Sequence, residues 1–155
     1  MLHSFWQLND MTTIYIMCGI PGSGKTTLAN QLAEQHNAVV HSYDDMLMAN
    51  TKQSMNGDVK RLWLDGMKSD LLAGRTVVCD GLPLTVKERK ELLSNFADIP
   101  CEKVLVIKVV PLEICLQRNR ERQRRLPDFV IEQSAQKLEA PTKDEGWDKI
   151  LVYRD

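Results

Sequence analysis

Gly19-Ile-Pro-Gly-Ser-Gly-Lys-Thr26 decides how the rest of the chain is read, because it satisfies the spacing GxxxxGK[ST] in full. Before it, Thr13-Ile-Tyr-Ile-Met-Cys18 is a short apolar run rich in β-branched and aromatic residues, which predicts a buried strand. After it, Thr26 to Gln35 carries Leu28, Leu32 and Ala33 at helical spacing. Strand, glycine-rich loop and helix in that order form the context in which this motif cradles phosphate. The glycines let backbone N–H groups converge on phosphate oxygens without Cβ clashes. The helix turns its positive end toward the same anion. Gly19, Pro21, Gly22, Ser23, Gly24, Lys25, Thr26 and Thr27 are therefore the expected ATP-binding residues. Lys25 is placed to reach the β- and γ-phosphates as a catalytic cation, and the Thr26 hydroxyl to ligate Mg²⁺.

Working outward, Ala38–His41, Thr76–Cys79, Val104–Val110 and Ile150–Tyr153 are further strand-like runs. Helical patterns separate them. Asp58 to Ala73 carries Val59, Leu62, Trp63, Met67, Leu71 and Leu72, with Asn56-Gly57 turning the chain just before it. Thr85-Val-Lys-Glu88 is a capping box opening a helix to about Phe96. Leu112 to about Arg124 follows Pro111 as another helix, and Pro127 and Asp128 open one more that ends before Pro141. Asn50 to Asp58 is polar and reads as a loop. Alternating strands and helices predict an α/β P-loop NTPase: a three-layer sandwich on a parallel sheet of about five strands, with an Arg-rich helical lid. Residues 1–11 read as a loose N-terminal arm and 12–155 as one domain.

Composition narrows the function classes. The chain has 155 residues with a formal net charge of -1, 43% hydrophobic and 26% charged residues. That balance excludes a globally basic coat for nucleic acid. No apolar run approaches the ~20 residues needed to cross a bilayer. The first ten residues have neither a basic start nor a continuous apolar stretch, unlike a secretory signal. Cys18, Cys79, Cys101 and Cys115 form no CxxC pair and sit in or beside apolar segments. Buried reduced thiols in a cytoplasmic protein are the expectation.

Three further groups bear on chemistry. Thr76-Val-Val-Cys-Asp80 is an apolar strand ending in a carboxylate, suited to holding the metal; the alternative is an Asp capping the turn Gly81-Leu-Pro83. His41-Ser-Tyr-Asp-Asp45 follows the second strand, where strand ends face the ligand crevice. A carboxylate there could take the proton of an attacking hydroxyl, while Ser42-x-x-Asp45 is also a capping pattern for a short helix through Leu47. Both hold if Asp45 caps and Asp44 faces the phosphates. Arg118-Asn-Arg-Glu-Arg-Gln-Arg-Arg125 puts five arginines in eight residues. Such a cluster is either a solvated helix end favoured by the helix dipole or a lid that brings cations over the transferring phosphate. Arg118 and Arg122, four apart, are expected on one helical face, Arg118 on ATP and Arg122 in catalysis. A GTP switch is not the expectation, because Pro83 stands where DxxG needs Gly and Thr142-Lys-Asp-Glu145 only nearly meets [NT]KxD.

These residues carry a family resemblance. Gly19–Thr27 resembles the loop of polynucleotide 5′-hydroxyl kinases and related small AAA-type P-loop kinases. Asp44-Asp45 is similar to that family's acidic motif, whose first Asp is the general base, and Asp80 to its strand-end acid. Arg118-Asn-Arg-Glu-Arg122 is similar to its lid, in which the position of Arg122 contacts the transferring phosphate. Leu138-Glu-Ala-Pro-Thr142 with Glu145-Gly-Trp147 resembles the C-terminal segment of the kinase part of eukaryotic polynucleotide kinase/phosphatases. The resemblance runs from Thr13 to Tyr153. Two positions depart from it. The arginine that follows the acidic pair in the family falls at about Leu47, with no basic residue until Lys52, and Gly81-Leu-Pro-Leu84 replaces an Asn-Thr-Asn stretch.

The implied activity is ATP- and Mg²⁺-dependent transfer of a γ-phosphate to a hydroxyl, with a polynucleotide 5′-hydroxyl as the leading acceptor. A small molecule or nucleotide is the alternative within the same fold. From another class comes an ATP-dependent binding or adaptor protein that transfers nothing. Lys60, Arg61 and Lys68 fit a nucleic-acid partner and a solvated helix face equally well.

Overall fold

The computed structural model describes residues 11–50 and 56–154. Residues 1–10 of the expected arm, and 51–55 of the expected loop with Lys52, lie outside the described residues. In chain order the elements are β1 (Thr12–Cys18), α1 (Lys25–His36), β2 (Val39–Ser42), α2 (Tyr43–Ala49), α3 (Asn56–Leu72), β3 (Val77–Asp80), α4 (Val86–Ser94), β4 (Cys101–Val109), α5 (Leu112–Arg120), α6 (Asp128–Lys137), a 3₁₀ turn (Lys143–Glu145) and β5 (Lys149–Arg154). The strands form one parallel sheet in the order β2-β3-β1-β4-β5.

The layering follows from the alternation of side chains along β1. Ile14 and Ile16 point to one face, where Trp63, Met67 and Leu71 of α3, Leu92 of α4 and Phe96 cover them. Tyr15 and Met17 point to the other, against Leu28, Ala29 and Leu32 of α1. A strand covered on both faces must be apolar at successive positions, which is why the run before the loop shows no alternation of polar residues. Among the described residues, no helix is long and apolar enough to cross a membrane. All four cysteines are buried and none forms a disulfide. Burial pushes the Cys18, Cys79 and Cys101 thiols above their ordinary range.

Three expectations about boundaries are corrected. α3 begins at Asn56, so Asn56-Gly57 forms the first turn of the helix instead of preceding it; both residue types are tolerated at a helix start as well as in a turn. β4 begins at Cys101, because β1 is long enough to pair with it from Thr12 onward. α5 stops at Arg120, with Glu121 as its C-cap, well before Arg124.

The return of the chain from α6 is locked by a buried ion pair that the sequence did not announce. Arg89 and Glu145 have fully buried side chains, with Arg89 Nε 2.8 Å from Glu145 Oε1. Arg89 also donates to the carbonyls of Leu84 at 2.8 Å and Ala140 at 3.3 Å, so one guanidinium holds α4, the loop before it and the segment after α6 together. Burial alone would raise the Glu145 pKa. Hydrogen bonds from Arg89, Trp147 and the Thr142 N–H outweigh burial and hold it at about 2. The Thr85–Glu88 capping box forms as expected. Thr142-Lys-Asp-Glu145, the near-match to a guanine motif, is a second capping box on the 3₁₀ turn.

Candidate active site

Parallel strands end at one edge of the sheet, and the loop of β1 lies there. Gly22 and Gly24 both have φ of 86°, a backbone region that side chains rarely adopt. At Gly22 a Cβ would also stand 2.5 Å from the carbonyl oxygen of Cys115, so the loop can approach α5 only without a side chain. Gly24 is the N-cap of α1, and no side chain caps that helix end. Its first N–H groups are thus left pointing at the loop.

Beneath the loop, three side chains converge. β3 pairs with β1 at Ile16↔Cys79, which sets Asp80 beside the strand that feeds the loop. Asp80 is 6% exposed. The Thr26 hydroxyl donates to Asp80 Oδ2 at 3.0 Å. Lys25 Nζ lies 3.5 Å from Asp80 Oδ1 and also donates to the Gly81 carbonyl. Asp80 thus ties Lys25 and Thr26 of the loop to the end of β3. Ser23 is fully buried. Its Oγ is the one buried side-chain oxygen or nitrogen among the described residues with no hydrogen-bond partner.

Asp44 lies two residues past Ser42, which is the β2 partner of Asp80. Ser42 caps α2, accepting from the Asp45 N–H at 3.2 Å. Asp44 lines the cleft and Asp45 does not. The helix is capped by Ser42 and not by the Asp45 carboxylate, and α2 runs on to Ala49 rather than stopping at Leu47.

Arg118, in the last turn of α5, donates through Nη1 to the Ser23 carbonyl at 3.2 Å. The expectation that Arg122 shares its helical face is wrong, because the helix has already ended. Asn119 explains why. Its side chain is fully buried; it donates to the Leu126 carbonyl at 2.7 Å and accepts from the Leu126 N–H at 3.0 Å. One amide thus clasps both backbone groups of Leu126 and folds 121–125 into a tight loop. Arg122 and Arg124 of that loop line the cleft, while Arg120 turns away to Asp128 at 3.0 Å. The Arg124 guanidinium meets Met48 Sδ across the cleft.

Of the expected site residues, Gly19, Pro21, Gly22, Gly24, Lys25, Thr26, Thr27, Asp44, Asp80, Arg118 and Arg122 all line one cleft of about 1030 Å³. Ser23 is the exception, lying under the loop. Sequence reasoning missed the contribution of α6, from which Val130, Gln133, Ser134 and Lys137 line the cleft. It also missed Asn119, whose signal was available: four residues after buried Cys115, it shares the inward face of α5.

The residues present fit a Mg²⁺-bound triphosphate. Gly22 makes a cradle that a Cβ would fill, and the cap-less end of α1 faces it. Two protein oxygens, from Thr26 and Asp80, suit Mg²⁺, which takes one or two side chains and completes its shell with phosphate and water. Fold and loop together define a kinase-like P-loop NTPase. The chain belongs to the AAA domain family, whose model matches residues 14–141. It is similar to Protein kti12 of Schizosaccharomyces pombe, 23% identical over 89% of this chain and 55% of that protein, so it spans about half that relative's length. In structure it resembles a sugar kinase from Janibacter sp. HTCC2649, with TM-score 0.65 and 20% identity over 92% of this chain and 85% of that one. It also resembles a chain of the Pnkp1/Rnl/Hen1 RNA repair complex, with TM-score 0.74 and 17% identity over 83% of this chain and 44% of that one.

Proposed function

We propose that the protein is an ATP- and Mg²⁺-dependent kinase that transfers the γ-phosphate to a hydroxyl. The observation that carries this reading is the Lys25–Asp80–Thr26 cluster under the loop, in one cleft with Asp44 and two arginines. In this reading the loop holds the phosphates, and Lys25 and Arg118 neutralise them. Thr26 and Asp80 would hold Mg²⁺, which would supply positive charge to the phosphates. Asp44 accepts the proton of the acceptor hydroxyl as its oxygen bonds to the γ-phosphorus and ADP leaves. Arg122 meets the charge that spreads over the equatorial oxygens. Cytoplasmic location belongs to the same reading, supported by four buried thiols.

A polynucleotide 5′-hydroxyl is the acceptor suggested by the sequence resemblance, and the likeness to a chain of an RNA repair complex is compatible with it. The lining of the cleft favours the second reading, a small molecule, because Leu47 and Leu82, at the two stretches that depart from the family pattern, both line it. Acceptor-dependent ADP release with γ-labelled ATP tests the kinase reading against an adaptor. Asp80→Asn should raise the Mg²⁺ requirement of that release more than it alters nucleotide binding. An unchanged Mg²⁺ dependence would return Asp80 to a structural role.

A further inference from the structure

Part of the cleft lining is apolar. Asp44, Leu47 and Met48 line the cleft together from α2, and residues three and four apart share a helical face with side chains about 5–6 Å from one another. The carboxylate is thus followed within one turn by two apolar side chains. Leu82 and Leu84, just past Asp80 and Gly81, line the same cleft. Leu82 is 51% exposed and Met48 48% exposed, two large apolar side chains that line the cleft. Neither Tyr43–Ala49 nor Gly81–Leu84 contains a lysine or arginine. The chamber is also bounded. Arg124 meets Met48 on one side, and Lys137 pairs with Glu88 at 3.2 Å on another. At about 1030 Å³ it exceeds the ~300–1,000 Å³ of a typical single-ligand pocket, leaving room for a small second reactant beside a triphosphate.

We infer that the acceptor is a small uncharged alcohol with an apolar body, its hydroxyl at Asp44 and its body against Leu47, Met48 and Leu82. This inference rests on the kinase reading and names the acceptor class for it. The alcohol oxygen bonds to the γ-phosphorus as the bond to the β–γ bridging oxygen breaks. The hydroxyl proton passes to Asp44, ADP leaves, and the product is a phosphate monoester.

The test measures transfer from γ-labelled ATP to n-butanol, n-pentanol, n-hexanol and 4-phenyl-1-butanol, with gluconate and a 5′-hydroxyl oligonucleotide as polar rivals. Along the alkanols kcat/KM should rise about fourfold per methylene until the wall is filled. Leu47→Arg, and Leu82→Lys at a position exposed enough to spare the fold, should each lower use of hexanol about tenfold or more and improve the oligonucleotide relative to it. A flat alkanol series, better use of gluconate or the oligonucleotide by the unaltered protein, or Lys25-dependent ATP binding with no alcohol phosphorylated overturns the acceptor class. The kinase reading is tested separately. It falls if ATP binding is independent of Lys25, or if ADP release needs no acceptor and survives Asp44→Asn.

Discussion

Between Gly19 and Thr26, Asp80 holds the Thr26 hydroxyl and the Lys25 ammonium, the Cys115 carbonyl lies close behind Gly22, and Arg118 bonds the Ser23 carbonyl. Between Glu121 and Leu126, by contrast, one buried amide, Asn119, bonds both backbone groups of Leu126, and Arg122 and Arg124 extend from the loop into the cleft lining. The floor of the cleft is thus built into the sheet, and its roof is a clasped loop laid across it. The difference teaches that anion recognition is prepared by burial and backbone shape, whereas the cations overhead sit on an exposed loop, free to adjust at little energetic cost. Substitutions should therefore separate the two regions.

The largest effect is expected in the floor. Lys25→Ala should lower turnover by about 10²–10³-fold, as for loss of one preorganised charge-stabilising donor, with little change in folding. Labelled-phosphate transfer and circular dichroism check this, and normal turnover in a folded variant breaks the comparison. Next comes the anchor of the roof's far end. Glu145→Gln leaves Arg89 buried without its counter-charge and should cost about 3–5 kcal/mol in urea unfolding. The same pair predicts a pH signature. With a folded-state pKa of about 2 against an ordinary 4.5, the ionised carboxylate's contribution is complete above about pH 4.5 and is lost as pH falls toward 2. Melting temperatures of the Glu145→Gln protein should lack that part of the acid slope.

Arg122→Ala should reduce kcat by about 10²-fold while the KM for ATP moves little, because the contact strengthens only as charge spreads in transfer. Arg125→Ala, outside the cleft lining, should stay within about twofold. Equal losses from both would make the loop a general anion patch. The smallest effect sharpens the idea of the clasp. Asn119→Ala strands two backbone groups and should cost about 1–3 kcal/mol. It should also lower kcat by misplacing Arg122, although Asn119 does not line the cleft. A melting shift with unchanged kcat would mean the loop needs no clasp.

What could be read in advance divides along the same line. The loop motif, the strand-end Asp80 and the Thr85 box are local patterns, in which neighbours in sequence satisfy one another, and they were legible. The end of α5 was not, because a run of arginines reads as helix and the amide that stops it bonds seven residues ahead. Arg89 and Glu145 were also hidden. A charged residue in a helix looks like surface until its partner, 56 residues away, is folded against it. Leu47 and Leu82 were visible as departures from the family pattern, but only the fold brings both into one cleft.

The strand order has a consequence for how the chain is made. β1, among the most thoroughly buried strands, pairs with β3 and β4 and not with β2, the next strand in sequence. Its first partner residues are synthesised roughly 60 positions later, which at about 5–20 residues per second is some 3–12 s. Throughout that interval the newborn Ile14-Tyr-Ile-Met17 has no sheet to join. The sequence that makes the floor of the cleft so well anchored in the finished protein is, on the ribosome, a sticky segment that chaperones would be expected to shelter.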